Sequence, residues 1–304
     1  MRRLLDDGLS VGVVADMNAG AGRLRRLVRE LDVVSPNILS ADLSARMVDF
    51  RPDWVFHLAT YGAYPWQDDL SRATETNITG TARVLDAARR AGFECFVNAG
   101  SSSEYGAKDG PAAETDQLEP NSYYAITKAA ATLLCSHVAR REDVPIVTLR
   151  LYSVYGPHEE SRRLVPQLLT SALSGSLPPL ANPRTARDFV HVDDVCDAFL
   201  AAARATNMRR GSVYNVGSGQ QTTLAELVRV VDELFGPLPE PRWGSLPDRP
   251  WDTSVWVADP SLIRREIGWH AVTDVRSGLI RTAAWLREQL GPAPGAAGRG
   301  PLVP

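Results

Sequence analysis

Short apolar runs alternate with longer amphipathic segments along most of the chain. The apolar runs predict strands at 10–15, 53–59, 93–100, 145–152 and 212–218, and the amphipathic segments predict helices at 23–31, 69–90, 122–141 and 222–236. The strands are almost continuously apolar, which is typical of parallel strands buried on both faces. Their alternation with helices predicts an α/β fold built on a doubly wound parallel sheet.

The regular alternation of predicted strands and helices is less clear after Gly156-Pro157. A helix is predicted at 164–175, and 188–205 is predicted to be a short strand that runs into a helix. The proline-rich stretch 237–252 is expected to be a loop, followed by two short helical segments. The tail, 291–304, is rich in glycine and proline and cannot bury enough apolar surface to order itself, so we expect it to be flexible.

Composition excludes several classes of protein. The chain has 304 residues, 44% of them hydrophobic, with a net charge of −3 and a pI near 6.0, so no basic surface for nucleic acid or anionic membranes is expected. No apolar run reaches membrane-spanning length, and the start does not lead into a signal-peptide core. Three separated cysteines without a CxxC pair argue against disulfides and zinc, so we predict a cytoplasmic protein. The histidines lack metal-ligand spacing, and His57 and His191 are predicted to be packed structural residues.

A tyrosine and a lysine share one face of the predicted helix 122–141. Tyr124 lies four residues before Lys128, and only Lys108 and Lys128 among the 33 cationic residues are lysines. An ammonium near a phenol lowers the pKa of the tyrosine from about 10, which suits a general acid or base near neutral pH. Arginine is a poorer choice for a compact charge of this kind. Taken alone, the pair also fits an ordinary surface lysine on an amphipathic helix.

Four ordered motifs make the resemblance of the chain to a known family specific. They are NAGSSSEYG at 98–106, the Tyr124/Lys128 pair, LRLYSVYGP at 149–157 and RDFVHVDD at 187–194. From about residue 3 to 288 the chain resembles the extended short-chain dehydrogenase/reductase family, in particular its NAD-dependent epimerases, dehydratases and ketoreductases of nucleotide sugars. The resemblance implies a Rossmann-like sheet, NAD or NADP as cofactor, a nucleotide-sugar substrate and a homodimer formed through the helices at 69–90 and 122–141.

The resemblance also assigns roles to individual residues. Ser101 would hydrogen-bond the substrate oxygen, Tyr124 would be the acid/base, and Lys128 would hold the nicotinamide ribose. The residues expected at the cofactor are Asp16, Leu58, Ala59, Thr60, Asn77, Tyr124, Lys128 and Tyr152. The residues expected at the substrate are Ser102, Ser103, Arg187 and Arg249, where the two arginines would grip the pyrophosphate through bidentate contacts.

The family pattern implies two domains and a departure at the start of the chain. A dinucleotide-binding domain is expected at 1–157, continued by 188–236, and a smaller substrate-binding domain at 158–187 and 237–290. The opening MRRLLDDG matches the end of the family's first helix. The first strand and its glycine-rich, phosphate-binding loop are therefore expected to be missing, which predicts a hole in the sheet and weak cofactor affinity.

Two features near the expected cofactor site leave alternatives open. NAGAGRLRR at 18–26 is a second candidate for a cofactor loop, although it is more typical of the turn after the family's second strand. Asp16 would serve the ribose of NAD, whereas Arg23 would meet the phosphate of NADP, and the sequence does not choose between them.

The loop after Ser101 bears on the reaction. Ser102 and Ser103 occupy positions where the family's dehydratases carry acidic residues, although a one-residue slip would place Glu104 there. The loop is similar to that of 4-keto-6-deoxyhexose reductases, so an NAD(P)-dependent 4-ketoreductase of a nucleotide-activated, deoxygenated hexose is the leading hypothesis. A 4-epimerase would use the same residues. A non-catalytic nucleotide-binding relative and an enzyme for a non-sugar ketone are the rivals; the pair of arginines disfavours the latter.

Overall fold

A computed structural model of the chain describes residues 1–15, 27, 30–247 and 253–290. The strands are β1 Gly12–Val14, β2 Asp32–Ser35, β3 Trp54–His57, β4 Cys95–Ser101, β5 Ile146–Leu151, β6 Ser153–Tyr155, β7 Ala186–His191, β8 Val213–Val216 and β9 Gln221–Thr223. The α-helices are α1 Arg2–Asp6, α2 Leu43–Phe50, α3 Leu70–Thr74, α4 Gly80–Ala91, α5 Tyr123–Glu142, α6 Leu164–Leu173, α7 Val192–Arg204, α8 Leu224–Phe235, α9 Ser261–Ile267 and α10 Val275–Leu290.

The largest sheet is parallel and has the order β3-β4-β5-β8. Every residue of β4 is buried, because helices such as α5 and α7 cover the two faces of this sheet. A separate parallel pair joins β1 to β2, and a third sheet joins β6 to β7 in parallel and β7 to β9 in antiparallel orientation. The predicted doubly wound α/β fold of Rossmann-like type is confirmed.

The described strands include two parallel sheets, β1-β2 and β3-β4-β5-β8, that are not hydrogen-bonded to each other. Doubly wound sheets of this class have the strand order 3-2-1-4-5-6, so the first strand lies between the second and the fourth. The neighbours of that position correspond here to β1 and β3. Within the described part of the chain, β1 is hydrogen-bonded to β2 alone and β3 to β4 alone, so the two sheets do not join.

Four apolar clusters stabilise the described part of the molecule. Two pack on the central sheet, one with Val97 and Leu149 and one with Phe96, and a small one surrounds Val11 and Val13 in the β1–β2 sheet. The fourth is formed where α6, α8 and α10 meet β6 and β7, around residues such as Leu168, Leu227 and Leu279. The division into a dinucleotide-binding and a substrate-binding domain stays a prediction.

The helix predicted at 69–90 is divided in the structure. It begins as α3, where Asp69 Oδ1 accepts a hydrogen bond from the Arg72 amide at 3.0 Å, and passes through a π-helical turn, Glu75–Thr79, into α4. Asn77 in this turn and Thr81 in α4 are both buried. Wide turns of this type concentrate at functional sites, so the turn marks the neighbourhood of Asn77.

Some elements differ from the sequence-based expectations. No element was predicted at 32–50, where the structure has β2 and α2, and α10 has 16 residues rather than being short. The helix predicted at 23–31 and the tail at 291–304 lie largely or wholly outside the described residues. Searched over the described residues, the helices include none that combines the length and the apolar character needed to cross a membrane.

Candidate functional site

The Ser101 and Tyr124 side chains predicted to carry the chemistry lie near each other at the carboxyl edge of the central sheet, and Lys128 is one helical turn further along α5. Ser101 is the last residue of β4, Thr60 lies in the loop after β3, and α5 carries Tyr124 and Lys128. The Ser101 and Thr60 side chains lie close enough to the Tyr124 phenol to affect its pKa. Ligands bind at this edge in open α/β sheets, so the predicted residues stand where a cofactor and substrate are expected.

A reciprocal capping box holds Ser101 at the start of a short 3₁₀-helical turn, Ser102–Tyr105. Its Oγ accepts a hydrogen bond from the Ser103 amide at 3.2 Å, and its own amide donates to Glu104 Oε1 at 2.8 Å. The pattern Ser-x-x-Glu is the sequence signature of this motif. The turn therefore fixes the backbone that presents the Ser101 hydroxyl.

The electrostatics of Tyr124 differ from the sequence-based expectation. Burial raises the pKa of its phenol, and the nearby Ser101 and Thr60 side chains and the positive charge of Arg163 only partly oppose this effect. The net shift is upward and Lys128 is not among the largest influences on it, so the predicted lowering of the Tyr124 pKa is wrong in this structure. Burial also lowers the pKa of Lys128, against the opposing charge of Glu104.

Asn77 connects the loop after β3 to the helix that carries Tyr124. Its Oδ1 accepts hydrogen bonds from the Tyr61 amide at 2.8 Å and the Thr60 hydroxyl at 3.3 Å. Its Nδ2 donates to the Tyr61 carbonyl and to Thr127 Oγ1, both at 2.8 Å. Because these contacts occupy both ends of the amide, Asn77 holds the 58–61 loop in place rather than offering a spare donor to a ligand.

Glu104 is a structural group beneath the site. Its Oε2 accepts a hydrogen bond from Arg150 Nε at 2.8 Å, and its Oε1 accepts from Thr132 Oγ1 at 3.0 Å in addition to the Ser101 amide. Glu104 is fully buried and Arg150 is 4% exposed. Burial raises the pKa of the Glu104 carboxyl, and Arg150 opposes this shift. The one-residue slip that would place Glu104 against a substrate is therefore not what the structure shows.

The remaining predicted residues are placed as follows. Leu58 is exposed, Ala59 packs against the core beneath the sheet, and Ser102 is buried. Tyr152 follows β5, and its buried hydroxyl has no partner among the described residues. Arg187 lies in β7 with its guanidinium carbon 5.5 Å from the centre of the Trp256 ring. Asp16 and Arg249 lie outside the described residues, as do Arg23 and the 18–26 loop.

The predicted packing of two histidines is confirmed. His57 is buried with Nε2 2.9 Å from Thr81 Oγ1, and burial, aided by the charge of Lys128, lowers its pKa to about 3. His191 is buried in edge-to-face contact with the Tyr155 ring. Over the part of the chain that the structure describes, no cluster of three or more His, Cys, Asp or Glu side chains could hold a metal ion.

Sequence reasoning missed two residues at the site. Arg163 precedes α6, pairs with Glu159 at 2.6 Å and acts electrostatically on Tyr124. Trp256 lies far from the motifs in the sequence, and its indole Nε1 donates to Ser102 Oγ at 3.1 Å. Neither residue belongs to a motif, so no local sequence signal identifies it.

The described residues fit the nicotinamide-ribose end of NAD. Lys128 is 4% exposed, and its ammonium donates no hydrogen bond within the described residues. A buried ammonium with unused donors is costly unless it is paired, and a ribose diol offers suitable acceptors. Lys128, Tyr124 and the loop at Thr60 would hold that end of the cofactor.

Comparisons with known proteins agree with this geometry. The family model described as "NAD dependent epimerase/dehydratase family" matches residues 1–217. A dTDP-glucose 4,6-dehydratase of Streptomyces griseus is 33% identical over 252 residues, covering 80% of this chain and 74% of that protein. Among solved structures, MoeE5 in complex with UDP-glucose and NAD is 30% identical with a TM-score of 0.82. The UDP-glucose 4-epimerase of Thermotoga maritima with UDP-glucose is 26% identical with a TM-score of 0.86. Each structural match covers 95% of this chain and 94% of the other.

Proposed function

Because the chain belongs to the NAD-dependent epimerase/dehydratase family, we propose that it oxidises and reduces C4 of a nucleotide-activated hexose, as a 4-epimerase. The observation that supports this proposal is the proximity of the Tyr124 phenol to the Ser101 side chain at the carboxyl edge of the sheet, with Lys128 buried one helical turn later. The similarity to a UDP-glucose 4-epimerase over nearly the whole chain supports 4-epimerisation over the other reactions of the family.

Each residue has a defined task in this mechanism. NAD, when bound, supplies the acceptor and donor of the C4 hydride. Ser101 Oγ donates a hydrogen bond to the substrate O4, Tyr124 accepts the proton of that hydroxyl and later returns it, and Lys128 holds the nicotinamide ribose. Stabilisation of the developing negative charge on O4 by these groups is the term expected to contribute most to the rate.

The nucleotide end of the substrate is assigned to the arginines. Arg187 and Arg249, both in the predicted substrate-binding domain at 158–187 and 237–290, would bind the pyrophosphate through bidentate contacts, and the predicted dinucleotide-binding domain at 1–157 and 188–236 would bind NAD. A neutral, non-sugar ketone would not need such a pair, so a nucleotide sugar fits these residues better.

The structure disfavours dehydration despite the similarity to a 4,6-dehydratase. Elimination of water needs an acidic group beside the catalytic hydroxyl to move a proton. Ser102 and Ser103 occupy those positions, and Glu104 is buried against Arg150. The Glu104 carboxylate accepts hydrogen bonds from Arg150, Thr132 and the Ser101 amide, so it is not available to move a proton of the substrate.

A 4-ketoreductase is the second candidate, and one observation favours it. Burial raises the pKa of Tyr124 above its ordinary value of 10.0, so the phenol is protonated at neutral pH. A protonated phenol is ready to donate to the oxygen of a C4 ketone, which is the reductive half of the chemistry. The serine-rich loop at 101–103 agrees with this direction.

One labelling experiment separates the reactions. UDP-glucose carrying deuterium at C4 is incubated with the protein and substoichiometric NAD, and the products are followed by NMR and mass spectrometry. We expect UDP-galactose that retains the label, without net consumption of NAD. Product lacking one water would support the dehydratase instead. In a second incubation, with added NADH and a 4-keto nucleotide sugar, consumption of NADH in proportion to the ketone would support the ketoreductase. Binding without turnover in both incubations would support a non-catalytic relative.

We also propose that the protein is a homodimer through α5 and the neighbouring α3. Ile126 and Leu133 on α5 and Leu70 on α3 are about half exposed or more. Apolar residues on neighbouring helices are typical of a helix-bundle interface. Sedimentation should show a dimer for the wild type and a monomer for Leu133→Glu. Val272→Glu, at a position that is 72% exposed on a different surface, should stay dimeric. A wild-type monomer would refute the interface.

A further inference from the structure

Trp256 touches both proposed ends of the substrate site. Its indole Nε1 donates a hydrogen bond to Ser102 Oγ at 3.1 Å, and Ser102 directly follows the Ser101 hydroxyl. The Arg187 guanidinium lies over the ring of the same side chain, at 5.5 Å, within the range of a cation–π contact. One residue therefore contacts a neighbour of the reacting hydroxyl and a proposed phosphate-binding arginine.

The segment that carries Trp256 is firmly attached to β7. The Ala186 amide donates to the Thr253 carbonyl at 2.9 Å, and the Ala258 amide donates to Asp188 Oδ2 at 3.0 Å. Asp188 is the residue after Arg187 and is fully buried. The two hydrogen bonds are made before and after Trp256 in the chain, and their partners in β7, Ala186 and Asp188, lie on each side of Arg187. Trp256 and Arg187 are therefore held together with β7.

The hydrogen bond from Trp256 sets the orientation of Ser102. Behind Ser102 lies a small pocket, with room for about one water molecule, that Trp256 and Tyr152 also line. The buried Tyr152 hydroxyl has no partner in the described part of the chain. Without the indole donor, the Ser102 hydroxyl would be free to turn into this pocket towards Tyr152, and the turn that begins at Ser101 would lose its outer support.

We propose that Trp256 is a positioning residue that couples the Arg187 end of the substrate site to the Ser101 turn, an inference that rests on the proposed function. Its N–H keeps the Ser101–Ser102 backbone in the reactive arrangement, and its ring keeps the Arg187 guanidinium in the binding arrangement. The two contributions are separable, because phenylalanine keeps an aromatic face and loses the donor, whereas leucine loses both.

The test compares turnover of UDP-glucose, with NAD, among single and double variants. Trp256→Phe and Ser102→Ala should each lower kcat about fivefold to tenfold, the loss expected for one hydrogen bond, with KM within twofold of wild type. The double variant should be no slower than the slower single variant, because both changes remove the same contact. Trp256→Leu should also raise the KM for UDP-glucose severalfold.

Trp269→Phe is the matched control. It removes an indole N–H that donates to the Asp194 carbonyl at 2.9 Å, in a buried position away from the site. This variant should unfold more easily and keep the wild-type kcat and KM. An unchanged kcat in Trp256→Phe, or independent losses that multiply in the double variant with Ser102→Ala, would overturn the inference.

Failure of the proposed function is distinguishable from failure of this inference. Wild-type protein that turns over no UDP-glucose refutes the use of that substrate, and the same four chains of the cycle are then compared by urea unfolding. Coupling between Trp256→Phe and Ser102→Ala of about fivefold or more in the unfolding constant supports the contact. Coupling below twofold shows that Trp256 does not hold the turn and overturns the inference.

Discussion

Replacing Glu104 by glutamine tests whether its carboxylate holds the site together or performs chemistry. The side chain is fully buried, and its partner Arg150 is 4% exposed with an Nε–Oε2 distance of 2.8 Å. Glutamine keeps an acceptor for the Ser101 amide and the Thr132 hydroxyl but removes the negative charge. The Arg150 guanidinium then remains buried without a counter-charge.

The expected cost is large compared with the stability of a typical domain. Removing one partner of a buried ion pair costs about 3–5 kcal/mol, against about 5–15 kcal/mol for complete unfolding. Glu104→Gln should therefore fold and show a much lower midpoint in urea. The double variant Glu104→Gln/Arg150→Gln should lose less than the sum of the single losses, because no unpaired charge remains.

An exposed carboxylate supplies the matched comparison. Glu233 accepts from Arg229 at 2.6 Å and from Arg276 at 3.0 Å, with all three side chains substantially exposed, so Glu233→Gln should cost about 1 kcal/mol or less. A loss in Glu104→Gln no larger than in Glu233→Gln would refute the structural assignment of Glu104. If dehydration of a nucleotide sugar by the wild type disappeared at the same time, the carboxylate would instead be a proton-transfer group.

Three further predictions address neighbouring residues. Tyr124→Phe should lower turnover of UDP-glucose by roughly 10²–10⁴, the range of general acid–base catalysis, with an unchanged circular dichroism spectrum; full activity would remove Tyr124 from the mechanism. Asn77→Ala should lower the free energy of unfolding in urea by about 1–3 kcal/mol for each buried partner left unpaired, and it should weaken NAD binding measured by titration. Unchanged tight binding of NAD would show that the 58–61 loop does not help to hold the cofactor. The pKa of His57 is about 3 in the folded protein and 6.5 as its ordinary value. Between pH 6.5 and 3 the unfolded chain therefore binds one proton more at His57 than the folded protein does. The free energy of unfolding falls as pH drops through that window, by up to about 1.4 kcal/mol per pH unit. His57→Gln should flatten this dependence in unfolding measured from pH 7 to 4, and an equal slope in both proteins would contradict it.

The sequence predicted the parts of the site that depend on local spacing. The position of Ser101 at the end of an apolar strand, and of Tyr124 and Lys128 on one helical face, follows from the order and period of the residues. The structure places Tyr124 near Ser101, and the catalytic roles of the three residues stay a prediction. The central strands were equally predictable, because buried parallel strands are continuously apolar. At 32–50 the apolar residues fit neither the period of a helix nor that of a strand, so β2 and α2 were not predicted.

Contacts between distant segments could not be predicted in the same way. Glu104 and Arg150 are 46 positions apart, and Trp256 and Ser102 are 154 positions apart, so no periodic pattern relates them. The direction of the Tyr124 pKa shift depends on how deeply the phenol is buried, which the four-residue spacing to Lys128 does not reveal.

The π-helical turn at Glu75–Thr79 sets how this part of the gene can change length. Its backbone hydrogen bonds run from residue i to i+5, so the turn holds one residue more than an α-helical turn. Deleting one residue here would let the segment close into an unbroken α-helix, and α4 would keep the face that includes Val84 and Leu85 towards the core. What would be lost is the local widening at Asn77, which contacts Tyr61 and Thr127. A single-codon deletion in this turn should therefore preserve the fold and disturb the loop after β3.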